Sequence, residues 1–181
     1  MSLPAATRRT LTLIRWSTLA STTSVPERVE TSNETGTGAA VLDHRLLLFV
    51  VSGRVYACAI EPVREIIPVR RATRLPGAPE YVCGLINLRG GIVTVIDLGA
   101  RLGESTGQRT EGSIILVEHA GRTVGLAVDE VRDVQPVDGR QIEAVSGDRA
   151  LGGIVCGIGH LDDGVVLLLD VGLVVQQVLL S

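Results

Sequence analysis

The chain has 181 residues, 45% hydrophobic and 20% charged, with mean hydropathy +0.34, so it carries enough apolar surface to pack a core. Net charge is −3 and all 17 basic residues are Arg, which excludes a general polyanion binder and any lysine-based Schiff-base or P-loop chemistry. Aromatic content is 2%, too little for stacking platforms, so no nucleic-acid partner is expected.

In chain order, residues 1–43 are rich in Ser, Thr, Ala and Gly and read as a disordered tail and linker. Thr7-Arg8-Arg9-Thr10-Leu11 resembles the start of an export signal, but Arg15 breaks the apolar run that would have to follow. From Val41 onward, short apolar runs are punctuated by Gly, the rhythm of an all-β chain. Leu46–Val51 and Arg54–Ile60 flank Ser52-Gly53 and predict a hairpin. Pro62–Ile66 reads as a helical or turn segment. Ile92–Leu98 is nearly continuous apolar, as in a strand buried on both faces. A short helical turn is expected after Asp97. Ser113–His119 and Arg122–Val128 predict a second hairpin, around Ala120-Gly121. Ile154–Ile158 and Val165–Leu169 predict a third, turning at Asp162-Asp163-Gly164. Apolar residues at 171, 174, 175, 178 and 179 predict a C-terminal helix.

An internal repeat organises these elements. Gly53–Ile66 lies over Gly121–Val134 at an offset of 68, and Cys83–Gly99 lies over Cys156–Gly172 at an offset of 73. Copies of about 60 residues are marginal alone and gain by sharing an apolar interface. The expected fold is therefore mainly all-β, two packed five-stranded barrels with a few short helices. One barrel is expected over about 45–105 and the other over about 112–175. The duplication also predicts that Asp97 and Asp170 each cap a helical segment after a buried strand.

Catalytic and metal chemistry finds little support. His44, His119 and His160 have no nucleophile at a signalling distance, and no Gly-x-Ser-x-Gly elbow occurs. Cys156 with His160 is a lone pair where zinc needs a cluster, and His160-Leu161-Asp162-Asp163 reads as a polar hairpin tip. Gly157-Ile158-Gly159 lacks the rest of a dinucleotide fingerprint. Cys58, Cys83 and Cys156 are expected to be buried, reduced thiols, since their odd number and wide spacing fit no disulfide framework. Arg89, in Asn87-Leu88-Arg89-Gly90-Gly91, sits at an exposed tip where a pairing with Glu65 would hold its guanidinium for recognition.

Gly53–Ile66, Tyr81–Gly90, Ile92–Leu98 and Gly125–Val131 resemble the CheW family, the coupling proteins of bacterial chemotaxis arrays. The resemblance spans about residues 45–178; Thr94 stands where the family pattern usually has Pro, and the long N-terminal segment is atypical. It implies two SH3-like barrels, no catalysis, no cofactor and no metal. It also implies a cytoplasmic adaptor between the cytoplasmic tips of chemoreceptors and the regulatory domain of a CheA-type histidine kinase, meeting the membrane only through receptors. Carried over by position, Val63, Glu65, Gly84, Asn87, Arg89 and Gly90 match first-barrel binding motifs, and Val131 and Val134 match partner-sensitive positions in the second half. A scaffold of a pilus or other kinase pathway and a small-ligand sensor are the rival readings.

Overall fold

The computed structural model describes residues 44–104, 111–145, 153–162 and 164–179. The expected tail over 1–43 and the turn residue Asp163 lie outside them. The strands are β1 (His44–Val51), β2 (Arg54–Ala59), β3 (Val63–Pro68), β4 (Val82–Leu88), β5 (Gly91–Asp97), β6 (Ser113–His119), β7 (Arg122–Val128), β8 (Glu130–Val137), β9 (Ile142–Ala144), β10 (Val155–Leu161) and β11 (Gly164–Leu169). Helix α1 (Leu98–Arg101) follows β5, and α2 (Val171–Leu179) follows β11. The predicted hairpins and both helical segments are present. The stretch read as helix or turn is instead the strand β3.

Two sheets form, ordered β8-β1-β2-β11-β10-β9 and β3-β6-β7-β5-β4. The first corrects the expected division of the chain, because neither sheet is built from one contiguous half. Under the repeat, β8, β1, β2, β11 and β10 correspond to β3, β6, β7, β5 and β4, with the first hairpin of each copy exchanged into the other copy's sheet. The registers agree. Tyr56, Ala57 and Cys58 run parallel to Leu167, Leu168 and Leu169, just as Val124, Gly125 and Leu126 run parallel to Thr94, Val95 and Ile96. A sequence repeat gives the number of copies but not which copy's strands pair.

Both sheets curl into barrels because their connections are short. Outer strands β8 and β9 of a flat six-stranded sheet would lie about 24 Å apart. The link from Val137 to Ile142 spans at most about 18 Å fully extended, and it contains a 3-10 turn at Gly139–Gln141. Asp138 caps that turn, accepting from the Arg140 N–H, while its own N–H donates to Gln141 Oε1. Bonding to Arg140 holds the Asp138 carboxyl at about 2, below the usual carboxylate range. In the other sheet, Thr73 bridges to Leu85 of β4 only five residues after β3 ends.

The hairpin exchange explains why the apolar runs have no polar face. In β1, Leu46 and Leu48 point into one barrel, whereas Leu47, Phe49 and Val51 join a core shared between the sheets. In β6, Ile114 and Leu116 fill the barrel of β3-β6-β7-β5-β4 while Ile115 and Val117 reach the same shared core. That core also takes Leu98 of α1 with Val174 and Val175 of α2. Because each barrel borrows a hairpin from the other half, neither is a separate folding unit. Far-UV circular dichroism and amide exchange should therefore report one unfolding transition; two separated midpoints would contradict the exchange.

Both predicted caps occupy matching settings. Asp97 Oδ1 accepts from the Ala100 N–H at 3.1 Å, and Asp170 Oδ1 accepts from the Leu173 N–H at 3.0 Å. Their own N–H groups donate to the equivalent carbonyls of Tyr81 and Ile154. Asp97→Ala and Asp170→Ala should each cost about 1 kcal/mol in denaturant unfolding.

The cysteines are free, but only Cys58 is buried; Cys83 is half-buried and Cys156 exposed. The last two sit at equivalent bulges, between Val82 and Gly84 and between Val155 and Gly157, where the strand kinks out of the core pattern. Burial, with Glu61 adding to it, pushes the Cys58 thiol up to about 12, so it stays protonated and inert.

Candidate functional site

The site grows from an irregularity in β3. Val63 pairs with Val117 of β6, but Leu116 pairs with Glu65, so Arg64 is an extra residue in the strand. Without that bulge, alternation would put Glu65 on the same face as Val63, against the shared core. With it, Glu65 lies opposite Leu116, on the face that lines the barrel of β3-β6-β7-β5-β4. A carboxylate there can only stay at the rim, and its side chain keeps 19% of its exposure.

The partner comes from the β4–β5 turn. Arg89 and Gly90 form a two-residue hairpin loop with φ of +52° and +85°, the left-handed pair that a twisted hairpin requires. Gly90 meets that demand without a Cβ, and its N–H donates to Asn87 Oδ1 at 3.1 Å. Arg89 accepts the strain and projects its side chain, 68% exposed, so that Nη2 donates to Glu65 Oε1 at 2.8 Å. Beside it, Ile92 lies opposite Asn87 and is 72% exposed. This corrects the expectation of a strand buried on both faces: β5 enters the core only from Val93 onward. The result is a rim of one held guanidinium, a carboxamide and an apolar side chain, the mix of directed polar groups and apolar area that protein surfaces use.

Glu65, Asn87, Arg89 and Gly90 thus come together. Val63 is half-buried against the shared core on the same strand as Glu65. Val131 and Val134 are half-buried on β8, an outer strand of the other sheet, where Val131 is the repeat equivalent of Val63. At Gly84 the backbone itself requires a glycine. This residue is buried with φ +133°, and a Cβ there would stand 2.2 Å from the Thr73 carbonyl oxygen. Its geometry is demanded by the strap that closes the barrel. The barrel of β8-β1-β2-β11-β10-β9 does not reproduce the ion pair, because Asp133 and Asp162 stand at the positions of Glu65 and Arg89. Sequence reasoning did not single out Arg64 or Glu118, whose side chains meet at 3.0 Å beside Glu65. A basic residue directly before Glu65 is the only signal the sequence carries for this pair.

Among the described residues, no group of three or more His, Cys, Asp and Glu could hold a metal ion. No helix among them is long and apolar enough to cross a membrane.

Two curled sheets with exchanged hairpins and one shared core define the class: a mainly-β double barrel. Residues 45–179 match the CheW-like domain, and the chain belongs to that family. It is 39% identical over 101 residues to the chemotaxis protein CheW of Bacillus subtilis, covering 55% of this chain and 65% of that protein. To the chemotaxis protein CheW of Rhizobium meliloti it is 40% identical over 99 residues, covering 54% and 64%. The chain thus spans slightly less than two thirds of the length of these relatives. The crystal structure of the scaffolding protein TtCheW from Thermoanaerobacter tengcongensis superposes with a TM-score of 0.67 at 32% identity, over 72% of this chain and 90% of that one.

Proposed function

We propose that this chain is a non-enzymatic adaptor that couples chemoreceptors to a CheA-type histidine kinase in chemotaxis signalling. Its working parts are protein-binding surfaces held at fixed separation by the shared core. The observation that carries the reading is the Glu65–Arg89 pair at 2.8 Å, an exposed guanidinium held in place within the Asn-Leu-Arg-Gly motif of the family. A free Arg would lose rotamer entropy on binding, whereas one already paired is partly pre-organised. Its fork still has donors left for carboxylates or carbonyls of a partner. Val63 at the start of β3, and Val131 with Val134 on β8, are the half-buried apolar positions assigned to the two surfaces. In this reading the chain works in the cytoplasm and reaches the membrane only through receptor tips.

The test is affinity capture with the tagged chain from native lysate, with mass-spectrometric identification. Co-recovery of chemoreceptors and a CheA-type kinase is the expected result. Recovery of pilus-motility receptors with their kinase would move the chain to that pathway. Recovery of neither receptor nor kinase would overturn the adaptor reading.

A further inference from the structure

We infer that Arg64 and Glu118 form a positioning pair that holds the β3 bulge so that Glu65 stays aimed at Arg89. This deepens, and rests on, the reading of Glu65–Arg89 as a partner contact. Arg64 is the extra residue of the bulge, and its Nε donates to Glu118 Oε2 across to β6 at 3.0 Å. The Glu118 N–H also donates to the Pro62 carbonyl at 2.8 Å, which ties the entry of β3 to the same residue. Glu65 follows directly, so any rotation of the bulge would swing its carboxylate away from the turn that carries Arg89.

The barrel that contains β8 serves as an internal control. β8 has the matching irregularity against β1, between the pairs Val134–Leu47 and Val131–Phe49. There Arg132 takes the place of Arg64, but the position of Glu118 is taken by Val50, and no Glu–Arg rim pair follows. Among the described residues, that bulge therefore forms from the backbone without an ion pair to Arg132. The ion pair occurs in the barrel whose bulge must also aim a functional carboxylate. Both side chains are substantially exposed, at 56% and 37%, so their contribution to folding is small.

The test exchanges the charges in the full chain with Arg64→Glu, Glu118→Arg and the double variant. A second, neutral pair, Arg64→Met and Glu118→Gln, guards against a failure to fold. Two readouts are used: nitrogen relaxation of the Arg89 side-chain Nε–H, and affinity for a purified cytoplasmic chemoreceptor fragment. Each single change should raise Arg89 side-chain mobility and weaken affinity about threefold, as expected for an exposed ion pair, and the double exchange should restore both. Unchanged Arg89 mobility in all single variants would overturn the inference. So would weakened affinity that the double exchange fails to rescue, since Arg64 would then be touching the partner itself. If Arg89→Ala leaves affinity unaltered, the partner-contact reading fails, while Arg89 mobility still decides the positioning role.

Discussion

Gly84→Ala should destabilise the fold by about 3 kcal/mol, the largest stability effect expected at any of the candidate contact positions. Two costs add at this position. A Cβ would stand 2.2 Å from the Thr73 oxygen and 2.6 Å from the Thr73 carbonyl carbon, both backbone atoms that cannot rotate aside. The φ of +133° is also one that side-chain-bearing residues rarely adopt. Relief would require Thr73 to leave Leu85, breaking the two reciprocal backbone bonds of 2.8 Å that close the barrel. Denaturant unfolding checks this directly. A cost below about 1 kcal/mol would mean that the strap yields easily, leaving a contact role for Gly84 open to test.

Arg89→Ala should do the opposite, sparing the fold and costing binding. The left-handed backbone at Arg89 would be kept by Ala, since Ala120 holds φ +50° in the equivalent position of the β6–β7 turn. The lost ion pair is largely exposed on the Arg side, so unfolding should shift by no more than about 0.5 kcal/mol. At an interface the same guanidinium would be desolvated with its fork engaged, where loss typically costs about 2 kcal/mol, roughly a 30-fold weakening. The chain has no Lys, so any compensating cation would have to be another Arg. Titration calorimetry against a receptor fragment and the kinase regulatory domain measures the effect. A large stability loss would instead make Arg89 part of the fold.

Much of the fold was legible because it is local. Ser52-Gly53 and Ala120-Gly121 supply the two left-handed residues that a tight hairpin needs, and apolar strands flank each. Asp97 and Asp170 announced helix starts by chemistry that acts over three residues. The hairpin exchange was not legible, because β1 is apolar on both faces whichever copy it joins. Nor was the bulge at Arg64, which has no turn residue to mark it and reverses the side-chain alternation at Glu65. The pairing of Glu65 with Arg89 was anticipated as chemistry, not as geometry. It joins residues 24 apart, on an outer strand and a hairpin tip that meet only when the sheet closes.

An adaptor between receptor and kinase must give the receptor control of kinase activity. The measurement is CheA-type kinase autophosphorylation in vesicles carrying the chemoreceptor captured with this chain, with the wild-type chain, without it, and with Arg89→Ala. Strong activation is expected only with the wild-type chain, silenced by the receptor's attractant, and little activation with the folded Arg89→Ala variant. Kinase activity that is the same with and without the chain would contradict the adaptor role.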